Sequence, residues 1–480
     1  MSEVLGSLIA GNWTSDGDAF QSINPSDTSD IVATINAASV DDCADAIHAA
    51  RNAFGDWSTS ALEQRKKVLD FIGDELIARS SEIGRLVARE EGKPLAEGVG
   101  EVYRAGQFFQ YFGAEVLRQM GEIAESVRPG VEVDVTREPL GVIGVITPWN
   151  FPIAVAAWKI APALAFGNAV ILKPAELVSA SAHAFADVIS RSGLPPGAFN
   201  LVMGTGRVIG ESMTQSADID AISFTGSVAV GRQIAKNTAA NMTRVQLEMG
   251  SKNALVVLND ADLDVAVQCA INGAYFGTGQ KCTASSRLIV ESGIHDQFVE
   301  MMIAATDDLV VGNALSEGTQ IGPVVDDRQL QQDLQYIELA KEEGASLSAG
   351  GNTVELETEG FYLRPTLFTD TDNSMRVNRE EIFGPIACVI RADNYDDALT
   401  MSNDSEFGLT AGIITQSLKS ASHFRRHSQS GCVMVNLPTA GTDYHVPFGG
   451  RKASSYGPRE QGQYAKEFYT IVKTSYVSAG

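Results

Sequence analysis

The chain has few cysteines, and their spacing is irregular. Its 480 residues include five, which are Cys43, Cys269, Cys282, Cys388 and Cys432. None of them forms the Cys-x-x-Cys pattern of structural zinc sites, and an odd number of scattered thiols argues against a disulfide framework. We therefore expect free thiols in a reducing compartment, which predicts a cytoplasmic protein.

Long apolar runs and an excess of positive charge are also missing. No run of about 18 uncharged apolar residues occurs, and the N-terminal segment has neither a basic stretch nor a sustained apolar one. We thus expect neither a membrane span nor a secretory leader. With 36 Lys and Arg against 60 Asp and Glu, the net charge is -24, which repels phosphate backbones and anionic lipids. Nucleic acid and membranes are therefore not expected as partners.

A metal site is not expected either. His423 and His427 stand four residues apart, a spacing that can bind zinc. The intervening residues lack the glutamate of the zinc-protease motif, and Arg425 and Arg426 would repel a cation. These histidines therefore indicate a solvated helix face.

The sequence does contain short apolar runs separated by helix-length stretches. A first series occupies residues 141–146, 169–172, 199–202, 221–224 and 245–247, and a second series occupies residues 254–257, 288–290, 387–390 and 432–436. Such alternation is typical of parallel sheets covered by helices, so it predicts two α/β domains. Apolar stripes at helical spacing between residues 39 and 91 predict covering helices before the first sheet.

Two further segments predict strands outside these sheets. Residues 123–127 and 131–135 flank a Pro129-Gly130 turn, as the strands of a hairpin do, and residues 467–478 also have a strand-like pattern. Both could be edge elements that pair with a partner chain.

Cys282 is a candidate nucleophile. It follows Gly277-Thr278-Gly279-Gln280-Lys281, where two glycines allow a tight turn and close approach of a substrate. A lone cysteine is more often a small buried hydrophobic residue, as we expect for the other four. The assignment therefore depends on the residues that accompany it.

Two polar residues at predicted strand ends could accompany this thiol. Glu248 ends an apolar strand just before a glycine turn, where its carboxylate could act as a general base. Asn150 follows another strand and lies between Pro148 and Pro152, which gives an amide donor the rigidity of an oxyanion site. The backbone N–H of Cys282 is its expected partner. Each segment taken alone could equally be a turn or a helix cap.

Three segments at strand ends could bind a cofactor. Lys173 and Glu176 follow one strand and could hold two ribose hydroxyls, and Thr225-Gly226-Ser227 follows another and offers a helix N-terminus to a pyrophosphate. The stretch from Gly204 through Gly206 to Gly210 only approximates the G-x-G-x-x-G dinucleotide motif, with one residue too many.

Taken together, these segments resemble the aldehyde dehydrogenase family along nearly the whole chain, from about Asn12 to Tyr476. The family's motifs occur in order as Thr147-Pro148-Trp149-Asn150-Phe151-Pro152, Lys173-Pro174-Ala175-Glu176, Phe224-Thr225-Gly226-Ser227, Leu247-Glu248-Met249-Gly250, Gly279-Gln280-Lys281-Cys282, Glu381-Ile382-Phe383-Gly384-Pro385 and Pro447-Phe448-Gly449-Gly450. One departure is Ser251, where the family usually has a second glycine, so the turn beside Glu248 is expected to differ slightly.

The resemblance implies an α/β fold with three parts. A Rossmann-type cofactor-binding domain would comprise residues 1–118 and 139–251, and an α/β catalytic domain would comprise residues 252–457. A small β oligomerisation element would comprise residues 119–138 and 458–480. A homodimer or homotetramer is implied.

The resemblance also implies the roles of individual residues. Cys282 would be the nucleophile, Glu248 the base that activates the deacylating water, and Asn150 with the Cys282 N–H the oxyanion hole. The implied cofactor-binding residues are Ile146, Thr147, Pro148, Trp149, Lys173, Glu176, Gly206, Gly210, Thr225, Gly226, Ser227, Glu381 and Phe383. A carboxylate at position 176 would repel a 2'-phosphate, so NAD is predicted as the preferred cofactor, with NADP also possible.

The implied reaction is the oxidation of an aldehyde to a carboxylic acid through a Cys282 thioester. Family members that pass the acyl group to coenzyme A tend to lack the glutamate at position 248, so hydrolysis is favoured over coenzyme A acylation. A catalytically idle structural relative is disfavoured because Cys282, Glu248 and Asn150 are all present.

For the substrate, several stretches resemble most the bacterial 2-oxoglutarate semialdehyde (2,5-dioxopentanoate) dehydrogenases. Such a substrate carries a carboxylate, for which Arg104 and His445 are the candidate cations. Phe108, Phe112 and Trp158 would equally line a pocket for aliphatic or aromatic aldehydes. Succinic semialdehyde and uncharged aldehydes therefore remain alternatives.

Overall fold

The computed structural model describes residues 4–14, 16–118 and 120–478. The strands are, in chain order, β1 (Val4–Leu5), β2 (Leu8–Ile9), β3 (Asn12–Trp13), β4 (Asp18–Asn24), β5 (Asp27–Ala37), β6 (Gly121–Glu125), β7 (Val131–Pro139), β8 (Val142–Ile146), β9 (Ala169–Lys173), β10 (Phe199–Leu201), β11 (Ala221–Thr225), β12 (Arg244–Glu248), β13 (Asn253–Val257), β14 (Ser285–Glu291), β15 (Ser346–Ala349), β16 (Thr366–Thr371), β17 (Ile386–Ala392), β18 (Thr410–Ile414), β19 (Cys432–Val435), β20 (Ser455–Tyr456) and β21 (Thr470–Ser478).

The helices cover the faces of the sheets. They are, in chain order, α1 (Val40–Ser58), α2 (Leu62–Ala78), α3 (Ser80–Glu91), α4 (Leu95–Glu115), α5 (Ala154–Ala165), α6 (Ser179–Ser190), α7 (Glu211–Gln215), α8 (Val228–Thr238), α9 (Leu263–Tyr275), α10 (His295–Asp307), α11 (Asp327–Glu342), α12 (Arg376–Arg379), α13 (Tyr395–Asn403), α14 (Leu418–His427) and α15 (Lys466–Tyr469). Within the described part of the chain, no helix is both long and apolar enough to cross a membrane.

The first large sheet has the strand order β20-β12-β11-β8-β9-β10-β2-β3. Its central strands run parallel, and β8 and β9 are buried along their whole length, which explains their unbroken apolar sequences. The carboxyl ends of neighbouring strands are aligned, with Ile146 opposite Lys173 and Thr225 opposite Glu248. The segments that follow these strands therefore meet along one edge of the sheet.

The second large sheet has the order β15-β16-β17-β14-β13-β18-β19 and is parallel except at β15. The predicted runs at 254–257, 288–290, 387–390 and 432–436 correspond to β13, β14, β17 and β19. Strands β16 and β18 were not predicted, because threonines, an aspartate and a glycine interrupt their apolar residues.

A third sheet joins the predicted hairpin to the C-terminal strand in the order β21-β7-β6. The first hairpin strand begins at Gly121, two residues earlier than predicted, because Gly121–Glu125 pairs in register with Val131–Pro139. Several large apolar side chains of this sheet are exposed, namely Ile123, Ile471, Val472, Tyr476 and Val477. A fourth sheet, β1-β5-β4, was not predicted.

Strands β8 to β12 lie in the predicted cofactor part, β13 to β19 in the predicted catalytic part, and β6, β21 and all but the last residue of β7 in the predicted oligomerisation element. One strand crosses the expected boundary, since β20 pairs antiparallel with β12 of the first sheet although residues 252–457 were assigned to the catalytic part. The helices expected between residues 39 and 91 are present as α1 and α2, and α3 follows them. A reciprocal capping box between Ser39 and Asp42 starts α1. The division into domains at the stated residues stays a prediction.

Candidate active site

Most of the residues predicted to form the site line one cavity of about 730 Å³. Its lining includes Cys282, Glu248 and Asn150, which come from segments that lie far apart in the chain. Among the predicted cofactor and substrate residues, the lining includes Pro148, Trp149, Thr225, Gly226, Ser227, Glu381, Phe383, Arg104, Phe108 and Trp158. The three catalytic candidates thus share one cavity with about half of the predicted cofactor residues and with three of the predicted substrate residues.

Two predicted substrate residues lie outside this cavity. A helix advances 100° per residue, so Phe112 on α4 points about 80° away from Arg104. It is fully buried and packs edge-on against Tyr111 and Phe166 instead. His445 is exposed, and its ring contacts Tyr444.

Tyr444, which does not itself line the cavity, packs against two residues that do, Phe108 and Arg104. Its ring meets Phe108 at a centroid distance of 6.4 Å, and the guanidinium of Arg104 lies 5.5 Å from its centre. Its ring also contacts that of Tyr111. No motif marked this tyrosine, although it stands directly beside the predicted His445.

Tight backbone geometry positions Cys282. Between α9 and Cys282, residues Gly277, Thr278 and Gly279 all have positive φ, and a Cβ on Gly279 would lie 2.2 Å from the carbonyl oxygen of Gly384. Beyond the turn, Nδ2 of Asn253 donates hydrogen bonds to the carbonyls of Cys282 (2.8 Å) and Ala284 (3.0 Å). The segment with the thiol is therefore fixed on both sides.

The electrostatic environment of the thiol disfavours the thiolate. Burial, followed by the negative charges of Glu381, Glu248 and Glu460, raises the pKa of Cys282 to about 12. A thiol in this state must lose its proton as it attacks. The other four cysteines do not line the cavity; Cys43, Cys269 and Cys388 are buried as expected, and Cys432 is half-buried.

Glu248 is the last residue of β12, and 3% of its surface is exposed. Oγ of Ser455 donates a hydrogen bond to its Oε2 at 2.5 Å. Burial and then the charge of Glu460 raise the pKa of Glu248 to about 8, against the opposing effects of Ser455, Lys159 and Arg459. A carboxylate with such a pKa is a stronger base than an ordinary glutamate, which suits proton abstraction near neutral pH.

A buried ion pair contributes to this electrostatic environment. Lys159 pairs with Glu460, both side chains are almost completely buried, and Oγ of Ser223 accepts a hydrogen bond from Nζ of Lys159 at 3.0 Å. Neither Lys159 nor Glu460 was predicted to belong to the site. The only signal was a single lysine within the otherwise apolar helix α5.

Asn150 is held rigidly at the end of β8. Its Nδ2 donates to the carbonyl of Gln280 at 2.8 Å, and its own carbonyl accepts a hydrogen bond from Nζ of Lys93 at 2.6 Å. Lys93 in turn pairs with Glu101, whose carboxylate caps the first turn of α5 through the backbone N–H groups of residues 153 and 154. The Asn150 amide keeps a second N–H for a ligand in the cavity.

The predicted cofactor residues near Cys282 fit a nicotinamide riboside. Oε1 of Glu381 accepts a hydrogen bond from the backbone N–H of Ser251 at 2.7 Å, and a Cβ on Gly250 would lie 1.9 Å from Oε2. Position 250 therefore has to be glycine for Glu381 to reach this place. Phe383, with a φ of 66°, presents its ring edge-on to Trp149 at 5.4 Å.

The predicted residues for the other half of the cofactor form a second cluster. Oε1 of Glu176 lies 3.4 Å from Nζ of Lys173 and accepts a hydrogen bond from the backbone N–H of Gly206 at 2.6 Å. A Cβ on Gly210 would meet nothing within 4 Å, so packing does not explain that glycine. Ile146 is buried at the end of β8.

Unsatisfied polar atoms in two of the predicted cofactor residues indicate a polar ligand. Oγ1 of Thr147 and Oγ1 of Thr225 are buried and have no hydrogen-bond partner among the described residues. Ser227 caps the start of α8, a helix terminus that favours an anion. Together with the ribose clusters, these groups fit a dinucleotide such as NAD.

The chain belongs to the aldehyde dehydrogenase family, which it matches over residues 13–475. It is therefore an oxidoreductase that acts on aldehydes.

Individual relatives cover almost the whole chain. The alpha-ketoglutaric semialdehyde dehydrogenase of Bacillus subtilis is 39% identical over 98% of this chain and 97% of that protein. The 2,5-dioxopentanoate dehydrogenase of Saccharolobus solfataricus is 38% identical over 98% of each chain. The crystal structure of betaine aldehyde dehydrogenase from Staphylococcus aureus in complex with NAD+ has a TM-score of 0.97, with 32% identity over 99% of this chain and 95% of that one. These matches confirm the predicted family and fold class.

Proposed function

We propose that this enzyme oxidises a carboxylate-bearing semialdehyde, foremost 2-oxoglutarate semialdehyde, to the dicarboxylic acid with NAD. The observation that carries the substrate class is the state of Arg104. Its guanidinium lines the cavity that contains Cys282, and among the described residues it has neither a hydrogen-bond nor an ion-pair partner. A half-buried guanidinium that lies over the Tyr444 ring and has no polar partner among the described residues can bind a carboxylate. The names of the similar Bacillus and Saccharolobus enzymes support the same class.

The geometry supports a mechanism in two stages. In the first stage, the sulfur of Cys282 bonds to the aldehyde carbon and the thiol proton is released through water to solvent, so Glu248 stays unprotonated for the second stage. Nδ2 of Asn150 and the backbone N–H of Cys282 donate hydrogen bonds to the resulting oxyanion. NAD, held at its nicotinamide end by Glu381 and Phe383, would supply the hydride acceptor for the oxidation of this adduct to a thioester.

In the second stage, Glu248 removes a proton from water as the water attacks the thioester carbon. The carbon–sulfur bond then breaks, the acid leaves, and Cys282 is regenerated. This role of Glu248 favours hydrolysis over transfer of the acyl group to coenzyme A. Product analysis with and without coenzyme A separates the two activities.

The Glu176 cluster supports NAD over NADP. The carboxylate lies beside Lys173 and the Gly206 amide, so it can accept hydrogen bonds from a ribose hydroxyl. A 2'-phosphate at that position would meet a negative charge.

The assembly and location of the enzyme are also proposals. The exposed apolar residues of the β21-β7-β6 sheet support a homodimer or homotetramer in which this sheet packs against a second copy. The free cysteines are in keeping with a cytoplasmic location.

The substrate proposal is tested by comparing kcat/KM for 2-oxoglutarate semialdehyde, succinic semialdehyde and pentanal in wild type and Arg104→Met. Removing the cation should lower kcat/KM for both acidic aldehydes by about 10- to 100-fold, which is the effect of losing one hydrogen bond to a charged group. The kcat/KM for pentanal should change by less than about threefold. Equal losses on all three substrates would contradict the carboxylate role. Arg104→Lys is the matched control that keeps the charge.

A further inference from the structure

Lys281, directly before the nucleophile, lines the same cavity as Arg104 and has no part in the mechanism above. Its Nζ donates one hydrogen bond, to the carbonyl of Asn272 at 3.0 Å. Its aliphatic chain passes over Gly277, where an added Cβ would lie 3.4 Å from both Cγ and Cδ. The side chain of this cavity-lining lysine is thus fixed at its end by a hydrogen bond and along its middle by the close approach to Gly277.

The charge of this ammonium is only partly compensated. Burial lowers the pKa of Lys281 to about 8, while the carboxylate of Glu97 favours the charged form and Lys93 disfavours it. Glu97 itself accepts the backbone N–H of Gly277 at 3.1 Å, and no ion pair among the described residues includes Lys281. Since an ammonium has three N–H donors, two of them have no hydrogen-bond partner in the described part of the chain.

An uncharged aldehyde would gain nothing from such a group, and a cation without full pairing is costly to keep in a cavity. An anionic end of the substrate would supply the missing partner. A 2-oxo acid end offers both carboxylate oxygens and a keto oxygen, which are enough acceptors for two cationic donors.

We propose that Lys281 is a substrate-binding residue that, together with Arg104, binds the acid end of the semialdehyde. This inference rests on the proposed function and extends it, because it places a second specificity-determining cation beside Cys282. Lys281 does not take part in bond making or breaking.

The first test compares wild type, Lys281→Met and Lys281→Arg on 2-oxoglutarate semialdehyde and pentanal. The methionine has a similar length without the charge, so its kcat/KM should fall about 10- to 100-fold on the acid and change less than about threefold on pentanal, as for the loss of a charge-assisted hydrogen bond. The arginine variant should retain most of the preference for the acid. NAD binding and thermal unfolding should match wild type, which checks the fold.

The second test does not require oxidation of an aldehyde. Cys282 is alkylated with iodoacetate, which is anionic, and with iodoacetamide, which is neutral, and Cys282→Ala identifies reaction at other thiols. The ratio of the two rates should fall at least about fivefold in Lys281→Met, because only the anionic reagent is attracted by the ammonium. The ratio is measured across pH, since a change in the pKa of the thiol would alter both rates together and leave the ratio unchanged.

The outcomes separate this inference from the proposed function. If wild type does not prefer the acidic aldehyde over pentanal, the proposed substrate class is wrong, and the alkylation ratio alone decides whether Lys281 attracts anions. If wild type prefers the acid and Lys281→Met keeps both that preference and the alkylation ratio, the role of Lys281 is wrong while the substrate class stands. Equal losses on acid and pentanal would also overturn the inference.

Discussion

Ser455 lies opposite Glu248 in the pairing of β20 with β12, and its hydroxyl donates a hydrogen bond to that carboxylate at 2.5 Å. The two-residue strand β20 thus supplies the hydrogen-bond donor that orients the carboxylate of the candidate general base. The same hydroxyl accepts the backbone N–H of Gly450 at 2.6 Å, which fixes its orientation. Because the bond stabilises the ionised form of Glu248, Ser455 opposes the rise in pKa that burial and Glu460 cause.

This relationship predicts the pH dependence of turnover. Glu248 acts as a base only when ionised, and its pKa is raised to about 8, so a turnover limited by hydrolysis should increase as pH rises through that value. Ser455→Ala removes a hydrogen bond to the ionised form, so the rising limb should move to higher pH. Steady-state NADH formation between about pH 6 and 10 measures the limb. Ser455→Thr keeps the hydroxyl and should resemble wild type, whereas an unshifted limb in the alanine variant would contradict the assignment.

The two stages of the mechanism can be separated at Glu248. Glu248→Gln keeps the shape of the side chain but cannot deprotonate the attacking water, so thioester should accumulate. We expect a burst of NADH of about one equivalent per site followed by turnover reduced about 10²- to 10⁴-fold, the range for loss of a general base. Rapid mixing with absorbance at 340 nm measures both phases. A wild-type steady-state rate would remove Glu248 from the mechanism.

Cofactor preference should depend on Glu176. Its carboxylate lies 3.4 Å from Nζ of Lys173, in the cluster proposed to hold the adenosine ribose. Replacing it with serine removes the repulsion of a 2'-phosphate and leaves Lys173 available to bind that group. We expect the ratio of kcat/KM for NADP to that for NAD to rise about tenfold or more. Glu211→Gln, a carboxylate change on the neighbouring helix α7, is the control, and equal ratios in both variants would count against the assignment.

Unbroken apolar runs made part of the fold predictable, whereas β16 and β18 are also buried almost throughout but were missed because polar residues or glycine interrupt them. Strands such as β8 and β9 are unbroken apolar runs because helices cover them on each side, and their spacing revealed the parallel sheets. By contrast, β20 is only two residues long, and its place beside β12 depends on a contact across more than 200 residues of chain. Local patterns do not contain such information.

The residues of the site also fall into those with a local sequence signal and those whose role depends on long-range contacts. Cys282 and Asn150 stand in turns rich in glycine or proline, and Glu248 ends a strand directly before a glycine turn, so each could be recognised from its own segment. The Lys159–Glu460 pair joins residues 301 positions apart, and each appears in the sequence as a single charge without a motif. Phe112, predicted to line the pocket, instead packs against Phe166 at the end of α5, a contact between two helices that no local pattern marks.

The central claim is that aldehyde oxidation proceeds through the sulfur of Cys282, and Cys282→Ala tests it most directly. NADH formation from 2-oxoglutarate semialdehyde should be lost in this variant, while NAD binding, followed by fluorescence titration, should remain close to wild type because the thiol is not part of the cofactor clusters. Turnover close to wild type in Cys282→Ala would contradict the account.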